Sequence, residues 1–307
     1  MNNSLLVVGS IAYDDVETPL GQRKDLLGGS ATYCTLSASS LTAPRLVGVV
    51  GRDFRAEDLE LFQSRAVDLD GLVHDSAGDT FRWGGCYHAN MNDRTTIYTH
   101  LNVFETFQPT IPESYLDSRF VFLGNIAPEL QLDVLSQINA PEFVALDTMN
   151  FWIDSKRDVL EQALSRVQGL IINDEEGLLL TGARSVLAVG RELQAKGPRT
   201  VIIKRGEHGA LMFHHDELFY VPGFPVESVV DPTGAGDTFA GGFMGFLART
   251  GEITPSTLRQ AMVVGSIMAS FCVAGFGLER LAQVTLEDVK TRYKHFVTLT
   301  QCPVLHI

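Results

Sequence analysis

The stretch Asp231-Pro232-Thr233-Gly234-Ala235-Gly236-Asp237-Thr238-Phe239-Ala240-Gly241-Gly242-Phe243 passes from a tight turn into a helix with an acidic residue in its first turn. Val229-Val230 before it is expected to end a short strand. The helix is expected to run from Asp237 to Leu247, with Phe239, Phe243 and Phe246 on one face packing into a core rather than stacking on bases. Glycines at such a turn let backbone N–H groups approach a ligand closely. The helix start adds partial positive charge, and the two together form a hole for an anion. An aspartate placed there can take a proton from an attacking hydroxyl. The same spacing also suits an aspartate that merely favours the helix dipole, so the pattern alone leaves both readings open.

Outward from this turn the chain alternates apolar strands with helical segments. Leu5–Val8, Leu46–Val50, Phe120–Leu123, Phe143–Leu146, Leu170–Ile172 and Val201–Ile203 are short and uniformly apolar, as buried strands are. Ala31–Ser40, Ala56–Ser64, Leu130–Ile138, Val159–Val167 and Ser185–Lys196 carry helical periodicity. Alternation of this kind predicts an α/β fold, with a mostly parallel sheet covered on both faces. Two segments break the rhythm. Residues 13–27 are polar and turn-rich, and residues 80–104 alternate, with Phe81, Trp83, Tyr87, Ile97, Tyr98 and Leu101 on the apolar phase. They predict half-exposed antiparallel strands, forming a small β-sheet lid over a cleft. No linker or repeat divides the chain, so residues 1–307 are expected to form a single domain.

The chain carries a formal net charge of −13, with 45% hydrophobic and 20% charged residues. That balance argues against nucleic acid and anionic membranes as partners. Cys34, Cys86, Cys272 and Cys302 form no C-x-x-C pair and fit free thiols in a reducing compartment. Met1-Asn2-Asn3-Ser4 lacks a secretory n-region, and no segment reaches the ~20 apolar residues of a membrane span, so a cytoplasmic location is expected. There is no G-x-x-x-x-G-K-[ST] and no G-x-G-x-x-G. His214-His215 beside Asp216 reads as the turn of a hairpin joining Ala210–Phe213 to Leu218–Val221, and Arg52-Asp53-Phe54 reads as loop.

The 231–243 stretch resembles the C-terminal signature of the ribokinase-like (PfkB) carbohydrate kinases. Three further elements follow the family's order: Leu27-Gly28-Gly29-Ser30-Ala31, Asn173-Asp174-Glu175-Glu176, and Lys204-Arg205-Gly206-Glu207-His208-Gly209. The resemblance covers nearly the whole chain. It implies a ribokinase-like three-layer domain with a central, mostly parallel sheet, and a β lid at the two inserted segments. It implies an ATP-dependent kinase in which Asp237 is the general base and the backbone of Gly234, Ala235 and Gly236 is the anion hole. Asn173 and Glu176 are the implied Mg²⁺ and phosphate pair, acting through water. Lys204, Gly206 and Gly209 are implied on the nucleotide side with Asn173, Gly234 and Gly236. Asp231 and Thr233, with the loop at Ala274–Gly277, match positions that hold a monovalent cation, K⁺, in some relatives.

On the acceptor side the resemblance implies Asp14, Gly28 and Gly29. Here the chain departs from ribokinase. Ala12 stands where an asparagine is common, and Ser30-Ala31-Thr32-Tyr33 replaces Lys-Gly-Ala-Asn, which adds the aromatic Tyr33 and argues against ribose. Asn125 and Asn150 at strand ends, and Arg82 and Trp83 on the lid, are candidate replacement contacts. The leading expectation is a sugar or sugar-like alcohol. A nucleoside of the adenosine type is the alternative, with Tyr33, Phe81 and Trp83 able to stack on a base. A phosphosugar would call on Arg82, Arg94 or Lys24, and a non-catalytic sugar sensor is the reading of another class. Residues 80–104 are also compatible with a homodimer formed through the lid.

Overall fold

A computed structural model describes residues 4–301. Cys302 and the residues before Ser4, both part of the expectations above, lie outside that range. In chain order the elements are β1 (Leu5–Val8), β2 (Ala12–Thr18), β3 (Gly21–Gly28), α1 (Ser30–Ser39), β4 (Pro44–Gly51), α2 (Ala56–Ser64), β5 (Asp68–Asp75), β6 (Phe81–Tyr87), β7 (Arg94–His100), β8 (Phe120–Leu123) and α3 (Pro128–Gln137). There follow β9 (Phe143–Leu146), α4 (Asn150–Ser155), α5 (Arg157–Leu164), β10 (Gly169–Asn173), α6 (Asp174–Thr181), α7 (Val186–Ala195), β11 (Thr200–Lys204), β12 (Ala210–His214), β13 (Glu217–Val221), α8 (Ala235–Thr250), α9 (Pro255–Cys272) and α10 (Leu286–Thr300).

Nine strands form one sheet in the order β13-β12-β11-β10-β9-β8-β1-β4-β5. It is parallel from β5 to β11 and closes with the antiparallel pairs β11–β12 and β12–β13. Its central strands are apolar on both sides because both sides are covered. Leu5, Val7, Phe120 and Phe122 face one core with α1, α8 and α9, whereas Leu6, Val8, Val121 and Leu123 face the other with α3, α5 and α7. This is the expected three-layer α/β architecture. The hairpin across His214-His215 is present as β12–β13.

A second sheet of four strands, β3-β2-β6-β7, is built from the two segments that broke the rhythm. One expectation is corrected here. β2 and β6 pair in parallel, and only the flanking pairs β2–β3 and β6–β7 are antiparallel. Side-chain alternation is identical in both arrangements, so it could not tell them apart. Two further corrections concern the main body. β5 was not anticipated, because an edge strand is half solvated and Asp68-Leu69-Asp70 hides its pattern. Val229-Val230 is no strand but a bend, held by Val230 N–H donating to Val273 O.

Helices α1 and α8 cross at backbone distance. A Cβ on Gly241 would stand 2.2 Å from Cys34 O, and one on Gly245 2.9 Å from Ala38 Cα. Ser37 Oγ donates to Thr238 O at 2.7 Å across the same contact. This crossing brings Tyr33 of α1 against Gly234, the N-cap of α8.

Candidate active site

The parallel strands end together at one edge of the sheet, where ligands of α/β proteins bind. β9 runs into Asp147, β10 ends at Asn173, and β11 ends at Lys204, which is in register with Asn173. α8 starts beside them, with Gly234 as its N-cap at φ +72° and Asp237 in its first turn.

Lys204 is the centre of charge. Its Nζ donates to Asp147 Oδ2 at 3.1 Å, and the side chains are 16% and 7% exposed. The same Nζ would stand 2.8 Å from a Cβ on Gly236, so it lies directly against the glycine turn. Asp147 is fixed by its other oxygen, which accepts from Thr148 N–H at 2.7 Å. Three carboxylates thus share one ammonium. Desolvation raises the Asp237 carboxyl to about 7, with repulsion from Asp147 adding and Lys204 opposing. Glu176 is raised to about 7 by the same causes in the same order. Lys204 is held above the usual lysine range, because attraction to Asp147, Glu176 and Asp237 outweighs its desolvation.

The glycine turn is built to receive an anion. Ala235 N–H donates to Pro232 O and Thr238 N–H to Gly234 O, while the Gly236 amide finds no protein acceptor among the described residues. An unclaimed amide at a helix start, with a buried ammonium against it, suits a phosphoryl group.

Asn173 and Glu176 form a reciprocal capping box at the start of α6. Asn173 Oδ1 accepts from Glu176 N–H at 2.8 Å, and Glu176 Oε2 accepts from Asn173 N–H at 3.1 Å. One Glu176 oxygen stays uncommitted by this arrangement. No group of three metal-ligating side chains occurs among the described residues. On the nucleotide side, Gly206 (φ +52°) and Gly209 (φ +79°) make the turn after β11, closed by Arg205 N–H donating to Gly209 O.

On the acceptor side, Asp14 is 4% exposed and lies so close to Gly28 that a Cβ there would overlap its carboxylate. Burial raises it to about 8, the charges of Asp231 and Asp237 add, and the Gly29 amide opposes. Tyr33 is 1% exposed and its ring lies against Gly234. Asp231 accepts from Thr233 N–H at 2.8 Å and from Gly277 N–H at 2.9 Å, so it staples the 231 turn to the 274–277 loop. Thr233 Oγ1 donates to Tyr87 Oη at 3.2 Å, tying the small sheet to the same turn.

Three other candidates have protein partners of their own. Arg82 is committed to ion pairs with Asp25 and with Asp53, the latter at 3.1 Å. Asn150 is exposed at the start of α4, where its Oδ1 accepts from Phe151 N–H. Asn125 is engaged by Trp152 and Met149.

Sequence reasoning passed over two residues. Asp147 falls in none of the motifs, although an acidic residue directly after an apolar strand at the C-terminal edge of a parallel sheet was a usable signal. Arg94, considered only as a phosphosugar contact, is directly cross-strand from Tyr87 and so on the same face of the small sheet. Its charge also bears on Asp237 and Glu176, lowering both.

Residues 2–281 match the family model described as pfkB family carbohydrate kinase. A cytidine kinase from Thermococcus kodakarensis is 33% identical over 252 residues, covering 80% of this chain and 88% of that protein. An inositol 3-kinase from Arabidopsis thaliana is 27% identical over 308 residues, covering 94% and 79%. Among solved structures, a Methanocaldococcus jannaschii nucleoside kinase superposes with a TM-score of 0.78 at 18% identity, over 96% of this chain and 99% of that one. With the glycine turn, the Asn173–Glu176 box and the two-sheet architecture in place, this chain belongs to the pfkB family of carbohydrate kinases, phosphotransferases that act on alcohol groups.

Proposed function

We propose that the protein transfers the γ-phosphate of ATP to a hydroxyl of a nucleoside, with Asp237 as general base. The observation that carries this is the grouping of Asp237, the unclaimed Gly236 amide and Lys204 Nζ at the start of α8. Phosphoryl transfer asks for positioning and charge stabilisation more than for covalent chemistry. Asp237 accepts the proton of the attacking hydroxyl. Gly236 N–H and Lys204 receive the charge of the transferring group, and Arg94 adds a second cation from the small sheet, which we read as a lid. Asp14 orients the acceptor through its hydroxyls.

Magnesium fits the donor set. The free oxygen of Glu176 would hold, through water, an ion that screens the phosphates. Potassium fits less well, because Asp231 already accepts two amides, and no step is routed through it.

A nucleoside is read ahead of a bare sugar from the residues around the apolar cluster where the small sheet meets the 231 turn and the 274–277 loop. Val16, Tyr87 and Phe276 are buried there with Leu26, Trp83, Met91 and Val230 packed around them. Trp83 and Met91, only half-buried at its margin, offer apolar surface that suits a base better than a fully hydroxylated ring. The cytidine kinase relative supports this acceptor, and the inositol 3-kinase relative supports a cyclic polyol as the second reading. Dimerisation through the lid accompanies the proposal, since β7 is an edge strand and exposes Ile97.

The test is ADP release over a panel of cytidine, other nucleosides, inositol, sugars and phosphosugars. Turnover of nucleosides ahead of all others is expected. Turnover of polyols or phosphosugars alone overturns the nucleoside assignment.

A further inference from the structure

Tyr33 occupies an unusual position for so polar a side chain. It lies in the first turn of α1, just after Gly28-Gly29, and is 1% exposed. Its hydroxyl has no hydrogen-bond partner among the described residues. Buried hydroxyls are almost always paired, and an exception calls for a reason. Its ring, by contrast, is in close contact. A Cβ on Gly234 would lie 2.3 Å from Tyr33 Cδ2 and Cγ and 2.4 Å from Cδ1, so the N-cap of α8 rests on this ring.

The groups bearing on the hydroxyl are those of the acceptor side: Asp14 foremost, then Asp231, Cys272 and Tyr87. Burial and these charges hold the phenol well above its ordinary range, so it stays a neutral donor. Tyr87 spends its own hydroxyl on Thr233, and Cys272 Sγ donates to Thr233 O. Asp231 spends both oxygens on amides. The Tyr33 hydroxyl is therefore left over in a site where each of these polar neighbours has a protein partner, Asp14 through the Gly29 amide.

We propose that Tyr33 is a specificity-determining and positioning residue: its free hydroxyl pairs with an acceptor hydroxyl beside Asp14, while its ring sets the Gly234 turn that receives the phosphoryl group. One side chain would then join recognition of the acceptor to the shape of the anion hole. This rests on the kinase reading above, but one arm of its test does not depend on the acceptor.

Tyr33→Phe keeps the ring and removes only the hydroxyl. If that hydroxyl has no protein partner, the ligand-free variant melts no lower than wild type. With cytidine as acceptor, KM is expected to rise on the order of tenfold, the worth of one lost neutral hydrogen bond, with a smaller change in kcat. The variant also loses wild-type discrimination against one of the two analogues, 2′-deoxycytidine or 3′-deoxycytidine. Tyr33→Leu removes the ring and is expected to lower kcat more than it raises KM.

A Tyr33→Phe enzyme that melts several degrees lower, or that keeps both wild-type KM and wild-type discrimination, overturns the role of the hydroxyl. A Tyr33→Leu enzyme with wild-type kcat overturns the role of the ring. If wild type turns over polyols and no nucleoside, the nucleoside reading falls. Tyr33 is then judged by the same KM comparison on the polyol, and by the melting arm unchanged.

Discussion

Lys204 Nζ lies 3.1 Å from Asp147 Oδ2 and directly against Gly236, so the cation that faces the carboxylates also faces the place a phosphoryl group would take. Removing it leaves Asp147, Glu176 and Asp237 without their shared partner. Breaking a buried pair costs about 3–5 kcal/mol. Lys204→Met should therefore melt well below wild type at pH 8, and the deficit should shrink at pH 6, where Glu176 and Asp237 take up protons. Differential scanning fluorimetry at the two pH values checks this, and a deficit independent of pH would contradict it.

Asp237→Asn removes the base while keeping the shape of the first turn. Turnover should fall roughly 10²–10⁴-fold. Nucleotide affinity, read by titration calorimetry, should change little. Wild-type turnover in this variant would remove Asp237 from the chemistry.

The base acts only when ionised. With the Asp237 carboxyl raised to about 7 by burial and by Asp147, kcat/KM should climb with pH up to about 7 and level above it. Glu176 rises to about 7 for the same reasons, so the acid limb should be steeper than a single ionisation. A profile flat from pH 5 to 8 would contradict both assignments.

Asp14 is held protonated by burial, its carboxyl pushed up to about 8 from the ordinary 3.8 of an aspartate. Between these values the folded chain keeps a proton that the unfolded chain has released. Its contribution to stability is complete below the lower value and lost as pH rises through the upper one. Asp14→Asn should therefore raise the melting temperature at pH 8, by roughly 2–4 °C per kcal/mol relieved, while acceptor KM worsens sharply. A lower melting temperature at pH 8 would sink this reading.

Gly234→Ala meets two obstacles at once, a φ of +72° and the Tyr33 ring. A non-glycine residue in the left-handed region costs about 1–3 kcal/mol before any overlap is counted. Both melting temperature and kcat should fall. An alanine variant with wild-type kcat would show that the turn need not hold this conformation.

The large sheet was legible because its central strands are short and apolar on both phases. β5 was not, since half of an edge strand faces water and its residues read as loop. The parallel pairing of β2 with β6 was invisible for a different reason: it is decided by which strands meet in space, and alternation is silent on partners. In the site, Asp237, Asn173 and Lys204 could be found because each sits inside a run of residues with its own signature. Asp147 lies outside every such run, and only its place directly after an apolar strand marked it. Asn125 and Asn150 both stand at strand ends, and their side chains meet Trp152, Met149 and Phe151 N–H.

The crossing of α1 over α8 at Gly241 and Gly245 welds the helix carrying Tyr33 to the helix carrying Asp237. Those two halves of the reaction cannot shift independently without breaking the glycine contact. Any closure around a substrate must be carried by the four-stranded sheet, which touches the catalytic turn through Tyr87 and Thr233. Drift towards a new acceptor should accordingly accumulate in the small sheet first, because substitutions there can reshape the cleft without unseating the base.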